Sequence, residues 1–286
     1  MSSLIKNTPD KDGRYQYRVD ILGINEAWVD DAISRVGGYR ITDNHSFPEG
    51  IENCDYRIKN LFIELKILER DVFESPERQK KMIQFFEREG LLDESGAGTV
   101  DSAQLSADTK KRLWDITMNG IEGVVKKANR QIKATAKHLG IAKFKGVILL
   151  VNKECESIEA LTLKRYAEYI IHKEKFSSLH HVVCFSAIPA VALGSPPVIG
   201  FVISEIKDEE TALIIDAIMM AFRSKAEEAL GKKLAMAPND IGHLSNIRED
   251  RSFTHGPTTV TFASGSLHAI EQNRDKMKDR RGEKPI

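Results

Sequence analysis

The sequence predicts an α/β protein in which helices flank a mixed central β-sheet. Residues 145–152 (KGVILLVN) form a nearly continuous apolar run, which is typical of a strand buried on both faces. A long amphipathic helix is predicted just before this run, over 109–139, and a strongly apolar helix over 209–230. A long helix followed by a buried strand indicates a sheet with helices packed on its faces.

A β-hairpin is predicted over residues 53–68 (NCDYRIKNLFIELKIL), in which Lys59-Asn60 can make a tight turn between two strand-like runs. In the second run, successive side chains point to opposite faces. A two-residue turn sets the register, so that three pairs of residues face each other: Ile58 and Leu61, Tyr56 and Ile63, Asp55 and Glu64.

The charged residues of this hairpin are brought together by its register. Glu64 and Lys66 lie side by side on one face, and Asp55 lies opposite Glu64. Opposed Cβ atoms are about 4.5–5.5 Å apart, where two carboxylates repel each other. A divalent metal ion would cancel that repulsion, because hard cations bind carboxylate oxygens. The alternative is an exposed edge hairpin whose mixed charges are solvated.

Similar patterns predict the other elements and the domain organisation. Helices are expected over 24–36, 76–89 and 158–176, and strands over 39–42, 181–187, 198–206 and 258–263. Residues 91–108 are expected to form a loop, either a lid over a substrate or a plain connection. One domain is predicted over 19–265, between a flexible segment, 1–18, and a polar tail, 266–286.

The composition limits which partners and which cellular compartment are expected. Lys and Arg together number 42, as do Asp and Glu, so any contact with nucleic acid requires a local basic patch. The 3 cysteines are too few and too scattered for a disulfide framework, which favours a reducing cytoplasm. The polar N-terminus shows no signal peptide, and Pro and Gly interrupt the most apolar stretch, 182–206, so no membrane partner is expected.

The long predicted helix carries a basic stripe beside its buried stripe, formed by Lys126, Arg130, Lys133 and Lys137. Such a stripe can follow the phosphates of a nucleic acid, or it can be a solvated helix face. The helix at 209–230 has an apolar side broad enough for a homodimer contact, and the alternative is a core helix.

Several other kinds of site are not supported. His180, His181 and Cys184 have no second ligand pair at zinc spacing. The chain contains no phosphate-binding Gly-Lys-Ser/Thr loop, no dinucleotide fingerprint and no Gly-x-Ser-x-Gly elbow. Any energy-driven partner, such as a motor subunit, would therefore be a separate chain.

The pattern Asp55, eight residues, Glu64-x-Lys66 on a hairpin resembles the PD-(D/E)xK nuclease superfamily. Cys54 stands where a Pro precedes the Asp in many members of that superfamily. The resemblance covers about residues 20 to 152 and implies a restriction-endonuclease-like core.

The same resemblance implies the chemistry of the site. Asp55, Glu64 and the backbone carbonyl of Leu65 would hold Mg²⁺, with Mn²⁺ as a substitute, and Lys66 would orient the attacking water or stabilise the transition state. Two more residues are implied to lie near the metal: Glu26 on the first helix, otherwise a solvated acid, and Gln131 on the long helix.

The function implied is a DNA endonuclease, in restriction or antiphage defence by analogy at the level of the fold. A separate motor or sensor subunit could act with it, and the basic stripe would hold the DNA backbone. Two alternatives stay open. One is a catalytically inactive, nuclease-like scaffold or nucleic-acid-binding subunit, and the other is an interaction protein whose hairpin charges are solvated.

Overall fold

The computed structural model describes residues 4–9, 15–19, 22–69, 75–94, 96–100, 105–153, 160–188, 198–231, 251–255 and 258–262. These ranges contain the helices α1 (Glu26–Ser34), α2 (Ile41–Asn44), α3 (Pro76–Arg88), α4 (Ala107–His138), α5 (Ala160–Lys173) and α6 (Glu209–Leu230). They also contain the strands β1 (Leu4–Pro9), β2 (Tyr15–Val19), β3 (Tyr39–Arg40), β4 (Tyr56–Ile58), β5 (Leu61–Leu68), β6 (Ala97–Val100), β7 (Lys145–Asn152), β8 (His181–Ile188), β9 (Val198–Ile203), β10 (Arg251–His255) and β11 (Thr258–Phe262). The predicted polar tail, 266–286, lies outside them.

A six-stranded sheet in the order β3-β4-β5-β7-β8-β9 forms the centre of the fold. β5, β7 and β8 are parallel to one another, and the outer neighbours β4 and β9 are antiparallel to them. Residues 146–152 of β7 are all buried, as expected for an inner strand with both faces covered. The predicted α/β class with a mixed sheet packed against helices is therefore confirmed.

The two faces of this sheet pack against different helices. Leu61, Ile63 and Leu65 of β5 point to one face, into a hydrophobic cluster that also contains residues of α1, β4, β7, β8 and α6. Gly146 of β7 lies beside Phe62 of β5, on the opposite face, where α4 approaches it. Because side chains alternate along a strand, Glu64 and Lys66 share the face of Phe62 and point toward the side of α4.

The chain divides into two compact units. The first comprises Met1–Glu69, Val124–Glu154 and Leu163–Met236 and contains the six-stranded sheet. The second comprises Arg70–Gly123, Cys155–Thr162 and Ala237–Ile286 and contains α3 and a sheet in the order β10-β11-β6. The hairpin with Asp55, Glu64 and Lys66 belongs to the first unit.

Some strands form where the sequence did not predict them. β6 lies within the stretch 91–108 that was predicted to be a loop, and it pairs in parallel with β11. β1 and β2 pair within the predicted loose N-terminal segment. β6 (AGTV) is short and has little apolar alternation, and its partner lies near the other end of the chain. Long-range pairing of this kind leaves no local signal in the sequence.

Within the described residues, no helix is both long and apolar enough to span a membrane. The exposed large apolar side chains on α6 are Leu213 and Met220, whereas most of its other apolar residues are buried in the core. The core-helix interpretation of α6 accounts for these buried residues, and a homodimer contact stays a prediction.

Gly146→Ala is expected to lower the free energy of unfolding by about 2–4 kcal/mol. A methyl group there would collide with the carbonyl oxygen of Ser178, a backbone atom, and would lie 3.0 Å from Cγ2 of Ile132. The matched control is Gly123→Ala in α4, where nothing lies within 4 Å. Alanine reduces the conformational freedom of the unfolded chain and favours the helix, so that variant should be more stable by about 0.5–1 kcal/mol. Urea denaturation measures both, and equal effects would contradict the packing at Gly146.

Candidate metal and phosphate site on the hairpin

The hairpin has the register that its sequence predicts. Tyr56 pairs with Ile63, and Ile58 pairs with Leu61, across the turn at Lys59 and Asn60. Lys59 has a φ of +52°, which suits the tight turns that join antiparallel strands. β4 begins at Tyr56, so Asp55 lies one residue before the strand pairing starts, at the position opposite Glu64.

The side chain of Asp55 hydrogen-bonds to the backbone of β5. Its Oδ2 accepts a hydrogen bond of 2.8 Å from the backbone N–H of Leu65. Its own carbonyl accepts a hydrogen bond of 2.9 Å from the N–H of Ile41 at the start of α2. Asp55 is therefore held on both its backbone and its side chain, which places the carboxylate at a defined position next to β5.

Glu64 is a fully buried carboxylate, with 0% of its surface exposed. Its Oε1 accepts a hydrogen bond from Nζ of Lys66, and its Oε2 has no hydrogen-bond partner among the described residues. The pKa of Glu64 is raised to about 8, chiefly by burial and then by the charge of Asp55, while Lys66 and Lys127 act in the opposite direction. Burying a carboxylate oxygen without a partner costs free energy, and a ligand that binds this oxygen would offset that cost.

The pKa of Asp55 is also raised, chiefly by burial. The hydrogen bond from Leu65 N–H and the charges of Lys66 and Arg40 lower this pKa, and the charge of Glu26 raises it. Both carboxyl groups thus resist ionisation, and the charge of Asp55 makes Glu64 harder to ionise. A divalent cation between them would stabilise both in the charged form.

The donors present fit a magnesium-type ion. Among the described residues, no cluster of three or more His, Cys, Asp or Glu side chains is arranged to hold a metal. The hairpin register places the carboxylate-bearing residues Asp55 and Glu64 opposite each other, and the backbone of Leu65 lies next to Asp55. Within a strand the N–H and C=O of one residue point to the same side, so the Leu65 carbonyl lies on the edge that faces Asp55. Two carboxylates and one carbonyl leave positions for water, as Mg²⁺ prefers.

Arg40 joins the acids of α1 to the hairpin. Its guanidinium lies 2.8 Å from Oδ1 of Asp30, 3.1 Å from Oε2 of Glu26 and 4.0 Å from Oδ1 of Asp55. Tyr56 donates a hydrogen bond of 2.8 Å to Oδ1 of Asp30. Glu26 thus contacts Arg40, which links it to Asp55, and its side chain is 69% exposed.

Gln131 is anchored to the chain segment that leads into Asp55. Its Nε2 donates a hydrogen bond of 2.9 Å to the carbonyl of Asn53, and its buried Oε1 has no partner among the described residues. One turn further along α4, Thr135 accepts a hydrogen bond of 2.8 Å from the N–H of Cys54. Gln131 therefore lies beside the site, although its hydrogen bond goes to the backbone before Asp55.

The residues of the predicted basic stripe have different ion-pair surroundings. Nζ of Lys126 lies 3.2 Å from Oε1 of Glu174, whereas Nε of Arg130 lies 4.0 Å from Oε2 of Glu52. Lys133 and Lys137 are exposed and form no ion pair within the described part of the chain. The cations of α4 thus belong to different local environments, and only some lie near the hairpin.

Two site residues were missed in the sequence analysis. Lys127 lies one helical turn before Gln131, so helical spacing from Gln131, which the resemblance implied, could have indicated Lys127. Arg40 had no comparable signal, because its contacts depend on how α1, β3 and β4 pack together.

The fold and site together define an α/β protein with a fully buried Glu64 carboxylate, a half-buried Asp55 carboxylate and Lys66 on a central hairpin. No family model, curated protein or solved structure matches the chain.

Proposed function

We propose that the protein is a metal-dependent nuclease with a restriction-endonuclease-like core that hydrolyses phosphodiester bonds in DNA. The observation that carries this proposal is the state of Glu64. It is fully buried, has one oxygen without a partner among the described residues, and lies across the hairpin from Asp55. A solvated edge hairpin would leave this carboxylate exposed to water, so that alternative does not explain the burial.

In the proposed reaction, Asp55, Glu64 and the Leu65 carbonyl would hold Mg²⁺, or Mn²⁺ in its place. When bound, the ion lowers the pKa of water and neutralises charge on the phosphate. Asp55 is kept in position by Leu65 N–H, which pre-organises the carboxylate. The anionic form of Glu64 requires a nearby positive charge, because its pKa is about 8 in the free protein.

Lys66 is suited to act on the attacking water or on the phosphate. Its ammonium contacts Glu64, and 23% of its side chain is exposed, so it connects the buried carboxylate with the outside of the site. An ammonium at this place can orient a water molecule and stabilise negative charge that develops in the transition state. Gln131 and Glu26 lie around the site and support it through Asn53 and Arg40.

The biological setting follows by analogy with the nuclease superfamily. A cytoplasmic enzyme of restriction or antiphage defence is consistent with the few cysteines, and a separate motor or sensor subunit would supply any energy-driven step. Zero formal charge favours DNA binding through a local cationic patch rather than over the whole surface.

A non-catalytic, nuclease-like subunit that binds nucleic acid is the second candidate. The observation that favours it is the small number of acids at the site, since the described residues form no cluster of three metal-binding side chains. That protein would bind DNA equally well with and without a divalent ion and would not cut it.

The wild-type protein is expected to cut DNA in the presence of Mg²⁺ or Mn²⁺ and to be inactive in EDTA. The assay uses supercoiled plasmid, linear duplex, single-stranded DNA and RNA at equal nucleotide concentration, with products separated on gels. Cutting that persists in EDTA would refute the proposed metal chemistry. DNA binding without cutting under any ion would favour the second candidate.

A further inference from the structure

Three consecutive residues just before Asp55, 52–54, each contact α4. Glu52 lies 3.8 Å from Nζ of Lys127, measured from Oε1, and 4.0 Å from Nε of Arg130, measured from Oε2. The next two residues bind Gln131 and Thr135 through their backbone atoms. The approach to the candidate metal site is therefore lined on one side by α4.

The direction of each α4 side chain decides which cations face this approach. Lys127, Gln131 and Thr135 are four residues apart, so they lie on one face of the helix. Lys126 is turned about 100° away from Lys127 and contacts Glu174, beyond the end of α5. The cations that contact Glu52 are Lys127 and Arg130, whereas Lys126 contacts Glu174.

Glu52 holds these two cations only weakly. Both contacts are longer than a hydrogen bond, and the side chains of Glu52, Lys127 and Arg130 are 47%, 49% and 65% exposed. Water and salt screen ion pairs with this geometry, so a competing anion can replace the carboxylate. A carboxylate held between two cations presents one negative charge and two oxygens, as a phosphodiester does.

We propose that Lys127 and Arg130 form a phosphodiester-binding subsite beside Glu64, and that Glu52 occupies this subsite in the free protein until the DNA backbone displaces it. The subsite rests on the proposed function for the identity of its ligand. Glu52 thereby acts as an internal competitor of the substrate.

The test measures binding of a short fluorescein-labelled DNA duplex in EDTA, by anisotropy, over a range of salt concentrations. Glu52→Gln is expected to bind the duplex about 3- to 10-fold more tightly at low salt, because both cations are released. Lys127→Gln is expected to weaken binding by a similar factor. It should also reduce the slope of log affinity against log salt concentration by about one, because one fewer counterion is released.

The matched control is Glu174→Gln, which removes the carboxylate that contacts Lys126 on the same helix. Its effect on affinity should stay below about 2-fold, since Glu174 contacts neither Lys127 nor Arg130. An equal gain in Glu52→Gln and Glu174→Gln would show a general effect of net charge and would overturn the subsite. A gain from Glu52→Gln that persists in the Lys127→Gln/Arg130→Gln background would overturn it as well.

Failure of the subsite and failure of the nuclease proposal can be told apart, because binding is measured without metal and cutting is measured separately. Wild-type cutting with no gain from Glu52→Gln would overturn the subsite and leave the nuclease. A gain specific to Glu52→Gln without any cutting would support the subsite on a DNA-binding subunit. Thermal denaturation of each variant verifies that these exposed substitutions leave the fold intact.

Discussion

Glu64→Gln is expected to reduce DNA cleavage by at least about 1,000-fold without unfolding the protein. Glutamine fills the same space but cannot carry the negative charge that would bind Mg²⁺ opposite Asp55. Lys66→Ala should cost about 100- to 1,000-fold, because the ammonium next to Glu64 is lost. Initial rates on plasmid DNA, together with circular dichroism of each variant, measure both effects.

Glu210→Gln serves as the control for this experiment. Glu210 is 52% exposed and lies 3.1 Å from Nζ of Lys59, so its replacement should leave cleavage within about 2-fold of wild type. Full activity of Glu64→Gln would contradict the role of the carboxylate pair. Loss of folding in Glu64→Gln or Lys66→Ala would show that the pair is structural, and the catalytic assignment would then have to be withdrawn.

The stability of the metal-free protein is expected to fall by up to about 4 kcal/mol, relative to Glu64→Gln, as the pH rises from about 4.5 to about 8. The pKa of Glu64 is raised from 4.5 to about 8 on folding, first by burial and then by Asp55. Between these pH values the folded state holds a proton that the unfolded state has lost. Stability therefore decreases with pH through this window and levels off above it.

Urea denaturation in EDTA at several pH values measures this effect as the difference between wild type and Glu64→Gln. Subtracting the variant removes the titration of groups that the two proteins share. Adding Mg²⁺ above pH 8 should restore stability to wild type and not to Glu64→Gln, because an ion bound only to the folded state stabilises it. Parallel curves for the two proteins at every pH would contradict the buried, protonated state of Glu64.

The elements with strong local patterns could be predicted from the sequence. The turn at Lys59-Asn60 and the alternation along 61–68 were sufficient for the register, and the paired residues are those expected. The apolar run of β7 and the helix α6 have the predicted bounds, because a buried strand and an amphipathic helix each repeat within a few residues. Local patterns do not reveal the pairing of β6 with β11, whose partners come from distant parts of the chain.

The candidate site also combines features that the sequence predicts with features that depend on tertiary packing. The sequence by itself determined that Asp55, Glu64 and Lys66 share one face of a hairpin, since turn length and strand alternation are local properties. Only the tertiary structure decided that Glu64 is fully buried, that Arg40 bridges α1 to Asp55, and that Glu52 contacts Lys127 and Arg130 of α4. Burial and long-range ion pairs depend on which helix packs over which face of the sheet. The spacing of residues along one strand or helix carries no information about that packing.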